Sequence, residues 1–203
     1  MKIIAIGRNY AAHAKELNNP VPGKPVIFLK PDTALLKDNK PFYIPDFSNN
    51  IHFELEVVLK VSKEGKHIAE KFASKYYEEI GIGIDFTARD IQAEHKEKGL
   101  PWELAKAFDN SAAVSEFISK DEFSDLKDLD FELRINDQIR QKGNTGLMLF
   151  SYDYIISFVS KYITLKKGDL IFTGTPEGVG QVQPGDKLFG TLAGRELLNF
   201  EIK

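Results

Sequence analysis

Cysteine is absent from the 203 residues. That single absence excludes disulfides, a thiolate nucleophile and a zinc–thiolate site. An excess of one charge is also missing: the formal net charge is -3, which gives no electrostatic reason to expect nucleic acid or an anionic membrane as partner. No apolar stretch approaches the length that crosses a bilayer. The opening residues, Met1 to Arg8, hold too short an apolar run for a signal peptide. A cytoplasmic protein is therefore expected, without nucleic-acid or membrane partners. Low-complexity tracts, linkers and solenoid repeats are missing as well. What is present, 42% hydrophobic and 28% charged residues, is the balance of a globular chain. Its length suits one domain, residues 1–203, with a sizeable core.

The most informative stretch is His52-Phe53-Glu54-Leu55-Glu56-Val57-Val58. Its period of two predicts a β-strand with His52, Glu54 and Glu56 on one face and Phe53, Leu55 and Val57 turned into a core. Adjacent glutamates on a strand repel each other, and a divalent cation compensates that repulsion best. The same pattern also fits the wet face of an amphipathic strand. Further on, Ile80, Ile82 and Ile84 alternate with Gly81, Gly83 and Asp85. Glycine inside a strand often marks close approach of a ligand or another backbone, so these two are expected to clear room beside Asp85. Glu54, Glu56 and Asp85 without cysteine form a hard oxygen site suited to Mg²⁺ or Mn²⁺, with Ca²⁺ as an alternative in a crystal and zinc disfavoured. Asp85 is equally readable as a helix cap. His52 is expected beside the ligands, not among them.

Elsewhere the pattern is mostly β with three or four helices, an α+β chain. Lys2 to Ile6 predicts a short buried strand, and Asn9 a cap for a helix that ends before Pro20. Val26 to Lys30 predicts a strand, Ala69 to Lys75 a short helix, and Asn136-Asp137-Gln138 a turn between two strands. Thr87-Ala88-Arg89-Asp90 has the form of a capping box for a helix running to Lys98, on which Arg89, Gln92 and Lys96 share a face. Ser151 is expected to cap a helix with Tyr154, Ile155, Phe158, Val159 and Tyr162 on its apolar side.

Three smaller groups carry candidate chemistry. His13 and Glu16, three apart on a helix, can act as a dyad in which the carboxylate orients an imidazole that takes a proton from water; an exposed polar helix face has the same spacing. Lys106, among apolar neighbours, can balance an anionic substrate or the carboxylates, or simply extend its amine to solvent. Thr173-Gly174-Thr175-Pro176 offers a hydroxyl and approachable amides, or is only a tight turn.

Taken together, His52-Phe-Glu54-Leu-Glu56, Gly83-Ile84-Asp85-Phe86-Thr87-Ala88-Arg89-Asp90, Lys98-Gly99-Leu100-Pro101-Trp102 and Thr173-Gly174-Thr175-Pro176-Glu177-Gly178-Val179-Gly180 resemble the fumarylacetoacetate hydrolase family. Gly7-Arg8-Asn9-Tyr10 with His13, and Phe28-Leu29-Lys30-Pro31, add to the likeness. It covers nearly the whole chain in order and is closest to the short branch of acylpyruvate hydrolases and oxaloacetate decarboxylases. The resemblance implies a mixed β-roll with peripheral helices, usually a homodimer. It implies Glu54, Glu56 and Asp85 as ligands of Mg²⁺ or Mn²⁺, His13 and Glu16 as a catalytic dyad on a lid near residues 13–24, and Arg8, Lys30, Gln92, Lys106 and Thr175 around the substrate. The expected reaction is hydrolysis of a carbon–carbon bond in a small 2,4-dioxo acid, an acylpyruvate, giving pyruvate and a carboxylic acid, with Lys106 stabilising the developing charge. Decarboxylation of oxaloacetate or isomerisation of a 2-oxo acid on the same site is the alternative, and a catalytically silent metal-binding module is the contrasting one.

Overall fold

The computed structural model describes residues 1–203. The chain begins with β1 (Ile3–Gly7), α1 (Ala11–Glu16) and β2 (Val26–Lys30), followed by β3 (Leu35–Leu36), β4 (Ile51–Phe53) and β5 (Leu55–Val61). Next come β6 (Tyr77–Asp85), β7 (Thr87–Ala88), α2 (Arg89–Lys98), α3 (Glu103–Lys106), β8 (Ala112–Val114) and β9 (Ile118–Ser119). The last part is β10 (Asp130–Ile135), β11 (Gln138–Asn144), α4 (Tyr152–Tyr162), β12 (Leu170–Phe172), β13 (Gly180–Gln181), β14 (Lys187–Leu192) and β15 (Arg195–Glu201).

These strands make a mixed, strand-rich α+β fold of three sheets. The largest runs β2-β1-β12-β5-β6-β8-β3, with β9 beside β6. Its β1/β12 and β3/β8 pairs are parallel and the rest antiparallel. Four strands, β11-β10-β14-β15, form a second sheet packed on the isoleucine face of β6, and β13-β4-β7 form the third. Strands β5 and β6 lie inside the first sheet and are covered on both faces. That is why Ile80, Ile82, Ile84, Leu55, Val57 and Leu59 are all fully buried.

The expected strands and the hairpin form. Asn136 and Asp137 both take left-handed backbone, with φ of 51° and 65°, the geometry of a two-residue hairpin turn. Ser151 caps α4 by accepting from the Tyr154 amide at 3.2 Å. The helix buries Ile155, Ile156 and Val159. Tyr154, Phe158 and Tyr162 instead form a half-exposed aromatic ladder down its outer side. The segment expected as a helix at residues 69–75 is a 3-10 turn, Glu70–Lys75.

Two caps fail for the same reason, competition from partners distant in sequence. The Asn9 amide group does not cap α1; it donates to Thr173 O at 2.7 Å and Phe150 O at 3.1 Å, and its oxygen accepts from Phe150 N at 2.8 Å. Asp90 accepts from Ser48 and Asn49 while Thr87 faces Lys106, so the capping box does not form.

The room left by Gly81 and Gly83 also differs from expectation. It is taken by Ser115, Glu116 and Phe117, and by Ala113 and Phe172, which press on β6. A Cβ at Gly83 would fall 2.7 Å from Ala113 O and 2.8 Å from the Phe172 ring. We expect Gly83→Ala to destabilise the fold by about 1–3 kcal/mol through overpacking. Urea unfolding of the chelator-treated protein measures this, and a loss below about 0.5 kcal/mol would show that the strand has slack.

Candidate metal centre and active site

The continuous strand expected around Glu54 is broken at that residue. Residues 51–53 pair with β13 and β7, whereas residues 55–61 pair with β12 and β6. Glu54 therefore stands where the chain passes from one sheet to another. The break separates His52, half-buried with Nε2 2.9 Å from Asn50 Oδ1, from the two glutamates. Glu54 and Glu56 still point the same way, and the Asp85 amide donates to Glu54 O at 2.9 Å, holding Asp85 level with them. The glutamate face is not wet: Glu54, Glu56 and Asp85 are 5%, 2% and 0% exposed. One oxygen from each lies within 4.8 Å of the others.

Buried like charges at that separation require compensation. Lys106 Nζ donates to Glu54 Oε2 at 2.8 Å, Asp85 Oδ2 at 2.7 Å and Thr87 Oγ1 at 2.6 Å. Arg89 donates to Glu54 Oε1 at 2.6 Å and through its other nitrogen to Gln92 Oε1, also at 2.6 Å. Lys30 Nζ lies 2.6 Å from Asp85 Oδ1, out of hydrogen-bond alignment, and donates to Ser111 O at 2.8 Å.

Burial opposes ionisation of Glu54, but Lys106 and Arg89 outweigh it and hold the carboxyl well below the usual range. Lys106, despite its burial, is pushed up by Asp85 and Glu54. Burial pulls Lys30 down against the attraction of Asp85. No cation forms an ion pair with Glu56, although Lys106 acts on it from a distance. Its Oε2 accepts only from the Gly174 amide at 2.6 Å, and burial together with Asp85 and Glu54 pushes its carboxyl well up. An all-oxygen donor set containing one uncompensated buried carboxyl fits a hard divalent cation. Glu54, Glu56 and Asp85 are the residues that would hold it.

A cavity of about 40 Å³ opens beside the triad and is lined by Arg8, His13, Gln92, Lys106 and Thr175. His13 Nδ1 is 3.1 Å from Glu16 Oε2, and Glu16 Oε1 accepts from the Gly178 amide at 3.0 Å. The His13–Glu16 contact that the family resemblance implied is present, and Leu17 and Asn19 continue its segment over the cavity. Lys30 lies beneath Asp85, away from the cavity wall.

Three contributors were not foreseen in these positions. Gln141 is buried on β11; its oxygen accepts from the Leu55 amide at 2.8 Å, and its nitrogen donates to Thr175 Oγ1 at 2.8 Å and Pro176 O at 2.9 Å. It joins the start of the ligand strand to the Thr175 loop. Asn9 performs the same service between β1 and β12, and Gly174 must stay bare there, because a Cβ would lie 2.6 Å from that of Asn9. Arg89 was visible as part of a helix face, but its pairing with Glu54 was not. Nothing in the local sequence marks Gln141.

A strand-rich α+β fold with three buried carboxylates and a histidine–glutamate pair at one cavity defines a metal-site enzyme. The chain belongs to the fumarylacetoacetate hydrolase family: residues 2–196 match the fumarylacetoacetate (FAA) hydrolase C-terminal profile. It is 44% identical over 201 residues to oxaloacetate tautomerase FAHD1, mitochondrial, of Mus musculus, covering 99% of this chain and 91% of that protein. To oxaloacetate decarboxylase, mitochondrial, of Dictyostelium discoideum it is 44% identical over 185 residues, 91% and 85% of the two chains. The fumarylpyruvate hydrolase of Pseudomonas aeruginosa, solved with Mn²⁺ and pyruvate, superposes with a TM-score of 0.94 at 32% identity, over 100% of this chain and 89% of that one. The chain falls in the short branch that these relatives represent.

Replacing Glu54 by Gln or Asp85 by Asn is expected to lower affinity for Mg²⁺ and Mn²⁺ by at least about 100-fold, more than loss of an outer partner typically costs. Calorimetric titration of chelator-treated protein measures it. Full activity in excess chelator would rule the metal site out.

Proposed function

We propose that the chain acts on oxaloacetate, interconverting its enol and keto forms by proton transfer at C3. The observation that carries this reading is the His13–Glu16 pair facing the same small cavity as the carboxylate triad. The names of its relatives point to oxaloacetate more than to the acylpyruvates that the sequence suggested first.

With Nδ1 held by Glu16, His13 keeps Nε2 free to exchange a proton. Ketonisation moves one proton off the enol oxygen and one onto C3, and the reverse reaction removes the C3 proton. His13 takes the proton from the enol oxygen, carries it as an imidazolium that Glu16 stabilises and delivers it to C3, and enolisation runs the same two transfers in reverse. Glu16 is itself fixed by Gly178, so the ring is oriented before substrate arrives. Lys106, buried and positive at the cavity wall, offsets negative charge growing on the substrate oxygens. A divalent cation held by Glu54, Glu56 and Asp85 would supply Lewis-acid polarisation of the 2-oxo and adjoining carboxylate oxygens. Trp102 and Phe28, packed edge to face at 6.0 Å, help keep water from that end of the cavity.

Carbon–carbon cleavage of an acylpyruvate is the second reading, supported by the likeness to the fumarylpyruvate hydrolase and by the ability of the same dyad to activate water. Loss of enol absorbance from oxaloacetate, release of CO₂ and release of pyruvate from acetylpyruvate, followed in parallel at saturating Mg²⁺, separate these reactions. We expect enol loss to be the fastest and His13→Gln to slow it by about two to four powers of ten. Turnover confined to acetylpyruvate would replace the tautomerase reading with the hydrolase one.

A further inference from the structure

Arg8 and Lys96 differ from the cations that serve the triad, Lys106 and Arg89 at the cavity and Lys30 beneath it. Lys30, Lys106 and Arg89 each meet a carboxylate of the triad. The Arg8 guanidinium lines the cavity and makes neither an ion pair nor a hydrogen bond within the protein. Lys96 reaches the cavity mouth from the solvent side, and its amine has only a neutral acceptor, Asn19 Oδ1 at 2.9 Å. Partial burial, then repulsion from Arg8 and Arg89, pulls that amine below its ordinary range, so the two unpaired cations feel each other.

The backbone adds an independent sign. Arg8 has a φ of 63°, the left-handed region that an arginine seldom adopts. It sits directly after β1, where glycine or asparagine would make the same turn without strain. Strain held at a cavity is a signature of function when the side chain carried there is charged and unsatisfied.

We propose that Arg8 and Lys96, with Asn19 between the lid segment and α2, form a subsite for a second carboxylate of the substrate, so that the enzyme selects 2-oxo dicarboxylates over the corresponding monocarboxylates. The proposal rests on the reading above only in placing the 2-oxo end of the substrate at Glu54, Glu56 and Asp85. Charge balance supports it. The triad is offset by Lys30, Lys106 and Arg89, so a bound divalent cation together with Arg8 and Lys96 leaves surplus positive charge. A substrate with two carboxylates cancels more of that surplus than a substrate with one. A guanidinium supplies paired donors that match a carboxylate edge, and a lysine adds a point charge beside it.

The test uses malate and lactate, which share a 2-hydroxy acid end and differ by the distal carboxylate. Neither can undergo the proposed reaction. Both are titrated calorimetrically into the full chain loaded with Mg²⁺. Malate is expected to bind about tenfold tighter or more, as for a charge-assisted contact, and the preference should shrink with added salt because Lys96 is open to solvent. In Lys96→Met and in Arg8→Gln the malate-to-lactate preference should fall to within about threefold of unity, and Lys96→Arg should restore most of it. Unfolding curves of the variants identify any that fail to fold, and the other variant then decides.

No malate preference in the unmodified protein, or an undiminished preference in the folded variants, overturns the subsite. Selectivity that depends on Arg8 and Lys96 in a protein that does not tautomerise oxaloacetate supports the subsite and refutes only the proposed reaction. Oxaloacetate turnover without that selectivity does the reverse.

Discussion

Three carboxylate oxygens within 4.8 Å of one another in a dry interior are the condition to which the rest of the structure answers. Two full charges at that distance repel by about 3–4 kcal/mol even at an effective dielectric near 20, and withdrawal from water adds several more for each. The chain meets the cost with cations carried on separate elements: Lys30 at the end of β2, Arg89 at the start of α2 and Lys106 on α3. The compensation is incomplete. Glu56 is left with one backbone amide and a carboxyl that resists ionisation. The three cations match the formal charge of the triad, but none of them pairs with Glu56. The deficit at Glu56 is what makes the cluster a receptor for a divalent ion and not merely a buried salt-bridge network.

Holding such a cluster in place demands rigid surroundings, since loops alone do not fix ligands to a few tenths of an ångström. Two neutral amides supply that rigidity. Asn9 ties β1 to the end of β12 and to residue 150, and Gln141 ties the start of β5 to the Thr175 loop. Each satisfies several backbone groups that would otherwise be buried without partners where the chain leaves its sheets. Neither carries charge, so neither disturbs the electrostatic balance it stabilises. The bare Gly174 lets the Asn9 clamp and the Glu56 hydrogen bond coexist in the same turn.

On the other side of the cavity the mobile chemistry is kept apart from this fixed charge. His13 is bound to Glu16, not to the triad, and Glu16 is anchored to Gly178. The imidazole makes no hydrogen bond to the triad and reaches it only through its charge, which helps to lower the Glu54 carboxyl. The carboxylates on the β-sheet and the histidine–glutamate pair on a short helix thus come from different parts of the fold and meet at the cavity.

Local chemistry by itself determined the parts of this protein that depend on near neighbours in the chain. Period-two alternation put Glu54 and Glu56 on one side of a strand, the three-residue spacing allowed His13 and Glu16 to share a helix face, and the lack of cysteine left oxygen as the donor for a metal. The motifs around Asp85 and Thr175 were enough to indicate the family. Only the tertiary structure decided that the glutamate face turns inward, that the strand breaks at Glu54 with His52 on the far side of the break, and that Lys30 lies beneath Asp85. It also took Asn9 and Asp90 away from the helix ends their positions suggested, and gave Gln141 a purpose that no local pattern carries. The physical reason is common to all of these. Periodicity and spacing report which side chains share a face, but burial and competing hydrogen-bond partners decide what that face meets, and those partners lie as far as 164 residues along the chain for Asn9 and 86 for Gln141.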